Sequence, residues 1–274
     1  MTTVDRWGWK ARIGMFIVSS EPVPEAEWWA MMPSGVSVHA ARVTAPTPWA
    51  RWASNRDAVE LEADLERGAR QFADMRLSAV VIAHSSSSIV GGPGWDDAVV
   101  RRLSEVAAPD TVVTTNGRDC QAALRALHVE RPFLVFPAWF ADPTLRNGVA
   151  YFTDRGFHPT GHMRVDPGRK WRDVPPRELY PQGMAFEQDV EHLYRQVRAQ
   201  CPAEADSVLM VGTGLRCVGI LETLEQDLHR PVVSANQASL WHCLRLSGVN
   251  TPVSGYGRLL LVQSPVARFG MTLR

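Results

Sequence analysis

The sequence predicts an α/β fold with mostly parallel sheets, and three observations carry that prediction. Short β-branched runs alternate with stretches of helical spacing along the 274 residues, an alternation that implies parallel strands joined by right-handed crossovers. The runs are nearly all apolar, as strands covered on both faces require. A faint internal repeat relates Ser78–Ser86 to Ser207–Gly214. Each is a strand-like run that ends in small or hydroxyl residues just before a helix.

In chain order, Arg12–Val18, Ser37–Val43, Ser78–Ala83, Thr111–Thr114, Pro132–Phe136, Ser207–Val211 and Pro231–Ser234 read as strands. Between them Asp57–Arg76, Asp97–Ala107, Arg118–His128, Asp142–Arg155, Met184–Gln200, Arg216–Leu228 and Gln237–Leu246 carry helical spacing and start near Asn, Asp or Gly signals. The stretch Asp166–Gln182 holds Pro167, Gly168, Pro175, Pro176 and Pro181 among Arg and Trp residues. It reads as a long irregular excursion, either a lid or, as the favoured expectation, an ordinary surface loop.

Composition narrows the function classes. Hydrophobic residues make up 45% of the chain and charged residues 21%, which excludes a disordered, collagen-like or coiled-coil chain. Lys+Arg and Asp+Glu both number 29, so no net field gathers nucleic acid or an anionic membrane. Met1–Lys10 lacks an apolar stretch of signal-peptide length and no run is long enough to span a bilayer; a cytoplasmic location is expected. Cys120, Cys201, Cys217 and Cys243 form no Cys-x-x-Cys pair. Reduced, mostly buried thiols are expected rather than disulfides or a structural zinc site. The ten tryptophans are expected mainly in the core or between lobes, with a minority lining a pocket.

Four pieces of sequence carry a resemblance that covers nearly the whole chain. They are Arg12-Ile-Gly14 leading to Ser19-Ser20, the stretch Pro33-x-Gly35-Val-x-Val-His39-Ala-Ala-Arg42, the turn after Ala83, and the long gapless Pro231-Val-Val-Ser234-x-Asn236-Gln237-Ala238-x-Leu-Trp241-His242-x-Leu-Arg245. On these the chain resembles the aspartate/glutamate racemase superfamily, in its maleate isomerase and arylmalonate decarboxylase branch. The resemblance implies two pseudo-symmetric Rossmann-like lobes, expected here at residues 1–114 plus 232–274 and at 115–231, with the active site in the cleft between them. It implies a small carboxylate of the malonate or maleate type as substrate, no metal and no organic cofactor. A homo-oligomer is allowed for.

The resemblance also shows where this chain departs from its family. His84 and Gly212 stand where the first-lobe and second-lobe cysteines would be, Glu21 follows Ser19-Ser20 where the maleate isomerases carry asparagine, and the tyrosine expected near Phe136-Pro137 is missing. Ala138, Trp139 and Phe140 occupy that neighbourhood. The loss of that tyrosine and the tryptophan content point to a substrate bulkier or less charged than maleate.

An imidazole accepts a proton near neutral pH without the pKa depression that a thiol needs. His84 is therefore expected as general base, with Glu21 orienting it as the acid does in a hydrolytic triad. Ser20, Ser85 and Ser86 on one side and Gly212, Thr213 and Gly214 on the other are expected to hold the substrate. Asn236 is expected either to help bind it or to cap the helix that follows. Ser87 and Ser88 stay undecided, Cys217 is expected as a buried thiol, and His39 and His242 as packing or surface residues.

With one acid/base and a glycine opposite, one-sided chemistry fits better than two-base racemisation. The expected activity is that of a cofactor-independent lyase or isomerase, moving a proton at the carbon next to a carboxylate with His84 in the cysteine's place. A His-Glu hydrolase of a small amide or carboxylate derivative stays open, as does a non-catalytic metabolite-binding member.

Overall fold

The computed structural model describes residues 5–263; residues 1–4 and 264–274, which the expected first lobe includes, lie outside the described residues. Two four-stranded sheets organise the chain. In the first, β1 (Ala11–Val18) lies between β2 (Val36–Val43) and β5 (Ala79–Ile82), with β6 (Val112–Thr115) outside β5. In the second, β7 (Pro132–Phe136) lies between β8 (Gly161–Arg164) and β9 (Ser207–Met210), with β10 (Val232–Ser234) outside β9. Every pairing in both sheets is parallel. Numbered within its own sheet, each lobe has the order 2-1-3-4, so one topology is folded twice. The strands of the internal repeat are β5 and β9, the third strand of each lobe.

This order fixes where the crevices of the two sheets lie. Strand order reverses between β1 and β5 in one lobe and between β7 and β9 in the other. In open parallel sheets the crevice lies at such a switch point, beyond the carboxyl ends of the strands.

Four of the strands are buried throughout: every residue of β5, β7, β9 and β10 lies in the interior. On the outer face of the first sheet, α2 (Ala63–Ala73), α4 (Trp95–Ser104) and the antiparallel hairpin β3 (Ala50–Trp52)–β4 (Val59–Leu61) close a core around Phe16, Trp49, Leu65 and Trp95. On its inner face, Ile13, Met15 and Val81 join a second core, which runs through α1 (Val23–Met31), α5 (Asn116–Ala126) and α10 (Ala235–Leu246) to the second sheet. The lobes are tied at their rim as well, where the Tyr151 hydroxyl donates to Asp96 at 2.6 Å and Arg155 pairs with the same carboxylate at 3.3 Å.

The remaining helices α6 (Asp142–Thr153), α8 (Val190–Gln200) and α9 (Leu221–Leu228) fall within expected helical stretches. Four elements do not follow the sequence pattern. Helix α1 begins on a Pro pair, the hairpin occupies the start of the expected helix Asp57–Arg76, and edge strand β8 buries only Met163. The fourth, α3 (Ser85–Gly91), is serine-rich; Ser85, Ser87 and Ser88 are buried, so tertiary contacts override weak helix propensity.

Two expectations are corrected. Strand β10 pairs with β9, so Val232–Ser234 belong to the second sheet, and the chain returns to the first lobe only with α10, which packs on α5, α1 and β5. The excursion Asp166–Gln182 is not an ordinary surface loop. It contains the short helix α7 (Pro176–Leu179), buries Trp171 and Leu179, and continues to buried Met184. Its start is pinned to the second lobe by Gln196 accepting from the Asp166 N–H at 2.7 Å, and the chain just beyond it by Gln188 donating to the Arg216 carbonyl at 2.6 Å.

Among the described residues no helix is long and apolar enough to cross a membrane. None of their His, Cys, Asp and Glu side chains gather in threes that could hold a metal ion.

Candidate active site

The two switch points face each other. Glu21 follows β1, His84 and Ser85 follow β5, Pro137–Trp139 follow β7, and Gly212–Gly214 follow β9. The closest link is between the two turns of the repeat: the Gly212 N–H donates to Ser85 Oγ at 3.1 Å, and that hydroxyl donates to Asn116 Oδ1 at 2.5 Å. Asn116 in turn donates to the Ala235 carbonyl and to Ser239 Oγ, both at 2.9 Å. One buried amide thus holds the ends of β5, β6 and β10 in register. In this arrangement the polar groups expected to cradle a substrate at Ser85 and Gly212 are spent on each other.

His84 does not stand in the cleft as a base. Its ring stacks on Trp49, with centroids 4.1 Å apart and planes 15° from parallel. Its Nδ1 lies 2.8 Å from Ser87 Oγ. That hydroxyl also accepts from the Trp49 N–H at 3.1 Å, which ties the imidazole to the segment that stacks on it. Burial pulls the His84 pKa down to about 3, and the ring stays neutral at pH 7. Both partners belong to the first lobe, and no hydrogen bond joins His84 to Glu21 among the described residues. The expected His84–Glu21 pair is therefore not formed, because the hairpin brings Trp49 against the imidazole instead.

Glu21 is the group whose acidity the cleft alters in a useful direction. Its side chain is 3% exposed, and burial above all, with Glu27 adding repulsion, raises its pKa from 4.5 to about 8. Neighbouring Tyr180, Thr213 and Arg42 offset part of the rise. Thr213 Oγ1 donates to Glu21 Oε2 at 3.5 Å. Gly214 leaves room for this carboxyl: a Cβ at that position would stand 2.2 Å from Glu21 Oε1, 3.1 Å from Trp139 Cζ2 and 3.2 Å from Tyr180 Cε2, so the carboxyl would have to move. Gly212 is the stricter position. Its φ is +98°, and a Cβ there would stand 2.5 Å from Pro137 Cγ. A cysteine at this position would be both strained and in collision.

The other expected residues divide. Asn236 does not cap α10, whose cap is Ser234; its amide donates to Glu27 Oε2 at 2.6 Å and to the Thr213 carbonyl at 2.9 Å. Ser20 is exposed beside Tyr180, and Ser86 is half-buried. Ser87 and Ser88 have structural partners, His84 and Trp49 for the first and Asp96 for the second. Cys217 is a buried thiol whose pKa burial pushes well above 9. His39 bonds Ser37 and His242 bonds the buried Asp119, both away from the two turns.

Three residues were missed by sequence reasoning. Glu27 on α1 accepts from the N–H groups of Cys217 and Val218 at 2.7 and 3.0 Å and so anchors the turn after β9. Its only signal was an acid beside Trp28-Trp29 in an apolar run. Asn116 was invisible as the hub it is. Tyr180, from the excursion, packs on Trp139 with centroids 5.2 Å apart and reaches Glu21.

Two parallel-sheet lobes of one topology, with a buried acid where their switch points meet, define a class: a two-lobe α/β protein. The family follows from comparison. Residues 54–260 match the model of the arylmalonate decarboxylase family, and the chain belongs to that family. A maleate isomerase of Nocardia farcinica (strain IFM 10152) is 26% identical over 263 residues, covering 93% of this chain and 97% of that protein. Among solved structures, the maleate isomerase Iso of Pseudomonas putida S16 superposes with a TM-score of 0.76 at 20% identity, over 93% of this chain and 99% of that one. An arylmalonate decarboxylase superposes with a TM-score of 0.68 at 21% identity, over 92% and 99%.

Proposed function

We propose that this chain is a cofactor-independent decarboxylase or isomerase of small carboxylates, in which Glu21 rather than His84 carries the proton. The observation behind it is the buried Glu21 carboxyl, which sits against Gly214 in the interlobe cleft and keeps its proton up to about pH 8. A carboxylic acid held neutral at pH 7 by an apolar site is a ready proton donor. Decarboxylation is the member of this pair that needs an acid and no base, and it suits a cleft with one such group.

In that reaction the bond between the α-carbon and the departing carboxylate breaks, CO₂ leaves, and the electron pair spreads over the α-carbon and the remaining carboxyl as an enediolate. The Glu21 O–H then transfers its proton to the α-carbon. The resulting Glu21 carboxylate recovers a proton from solvent.

The test is proton NMR in D₂O with malonate, phenylmalonate and maleate, comparing the native chain with Glu21→Gln and His84→Gln. Deuterium at the α-carbon or loss of CO₂ with the native chain and His84→Gln, but not with Glu21→Gln, is the expected result. Full turnover by Glu21→Gln would sink the reading.

A further inference from the structure

Tyr180 stands at the end of α7, over the turn after β9. Its hydroxyl is buried and forms no hydrogen bond of good geometry, although the Glu21 carboxyl and Ser20 lie within its reach. A buried hydroxyl without a partner costs stability, and such a group calls for an explanation. The ring is held in place from behind by Trp139, and its Cε2 would stand 3.2 Å from a Cβ on Gly214. Tyr180 therefore packs over the turn after β9 while its hydroxyl reaches the acid that follows β1. The segment carrying it is anchored to the second lobe through buried Trp171 and Leu179 and through Gln188, so its place over the cleft is set by the core.

We propose that Tyr180 is a substrate-facing residue, whose hydroxyl donates to a carboxyl oxygen of the bound ligand beside Glu21. The inference rests on the proposed function and adds to it the seat for the carboxyl group that the substrate keeps. A neutral phenol is suited to such a seat, since burial and the adjacent Glu21 push its acidity down and it remains a donor. As negative charge gathers on the retained carboxyl during loss of CO₂, a donor already aimed at that oxygen strengthens its bond without reorganising. Tyr180 thus serves oxygen while Glu21 serves carbon.

Tyr180→Phe separates this role from a structural one, because the two give opposite signs. Removing an unpartnered hydroxyl leaves the melting temperature of the ligand-free protein unchanged or raised. Binding of a carboxylate is weakened roughly tenfold or more, the usual loss for a hydrogen bond to a charged group. The measurement is thermal denaturation of native and Tyr180→Phe protein, alone and over a concentration series of malonate, maleate or phenylacetate. A shift that grows with concentration reports binding to the native state.

The expected outcome is a carboxylate-dependent shift in the native protein that needs about tenfold more ligand in the variant. The proposal is overturned by a lower melting temperature of ligand-free Tyr180→Phe, by equal shifts in both proteins, or by no shift with any of the three carboxylates. If carboxylates bind in a Tyr180-dependent way but no proton is exchanged and no CO₂ is lost, the proton-transfer reading fails and the seat stands. If turnover occurs with KM unchanged in Tyr180→Phe, the seat fails and the reading stands.

Discussion

Ser85 and Gly212 meet across the cleft: the backbone N–H of Gly212 donates to the Ser85 hydroxyl at 3.1 Å. They occupy equivalent turns of the two lobes, after the third strand of each sheet. The internal repeat thus ends in a direct contact between its two copies. Because Ser85 passes its own hydrogen to Asn116, the contact continues into a buried chain through Ser239 to Asp119.

Ser85→Ala is expected to destabilise the fold. It leaves the Gly212 N–H and Asn116 Oδ1 without these partners in a buried setting, and each such group costs about 1–3 kcal/mol. A loss of about 2–6 kcal/mol in urea denaturation is expected from the two together. A loss under about 0.5 kcal/mol, the range of an ordinary surface change, would show that the link between the turns carries no stability.

Gly212→Ala and Gly212→Cys are expected to be costly, and the cysteine is expected to restore no thiol chemistry. A side chain at φ +98° is strained, and its Cβ would stand 2.5 Å from Pro137 Cγ. Strain of about 1–3 kcal/mol and overpacking of about 1–3 kcal/mol both apply. Denaturation of the two variants measures the cost, and alkylation followed by an isomerisation assay with maleate checks the thiol. A Gly212→Cys protein as stable as the native chain would contradict the predicted strain and collision.

The framework of the site was legible in the sequence and its partnerships were not. The turns after β5 and β9 could be placed because apolar runs ending in small residues mark buried strand ends, and Glu21 because it follows β1 directly. What a strand end does not reveal is the direction of its side chain. His84 was expected to face Glu21, but Trp49, directly before the β3–β4 hairpin, covers its ring. Glu27 and Tyr180 reach the cleft only through contacts between segments distant in sequence, and their neighbours there are set by packing. The boundary at residue 232 was misplaced for a related reason: Val232–Ser234 are apolar enough for either sheet, and only pairing with β9 assigns them.

Activity is expected to follow the protonated form of Glu21. If the acid form donates the proton, kcat/KM is level in acid and neutral solution and falls above about pH 8, the pKa that burial gives this carboxyl. The decline is tenfold per pH unit for one proton. A profile of kcat/KM from pH 5 to 10 checks this. A limb centred near pH 6.5 would return the role to a histidine in an ordinary environment.

Stability should bear opposite marks of Glu21 and His84. The folded pKa of Glu21 is about 8 against 4.5 for the free group, so between those values the folded state holds a proton that the unfolded state has released, and stability falls as pH rises. The folded pKa of His84 is about 3 against 6.5; between these the unfolded state binds the extra proton, and stability rises with pH. The two slopes oppose each other from pH 4.5 to 6.5, which leaves from this pair a rise below 4.5 and a fall from 6.5 to 8. Glu27, whose pKa burial also raises, adds a fall that begins as pH rises past 4.5. Glu21→Gln is therefore expected to gain stability relative to the native chain at pH 8.5 and little at pH 4.5, because a neutral amide has no charge to desolvate. His84→Asn is expected to flatten the acid limb and leave the alkaline one. Urea midpoints measured at pH 4, 5.5, 7 and 8.5 for the three proteins resolve both limbs. Parallel curves for native and Glu21→Gln protein would mean that Glu21 is ionised in the fold at neutral pH, and would remove the proton from the donor on which the proposed chemistry depends.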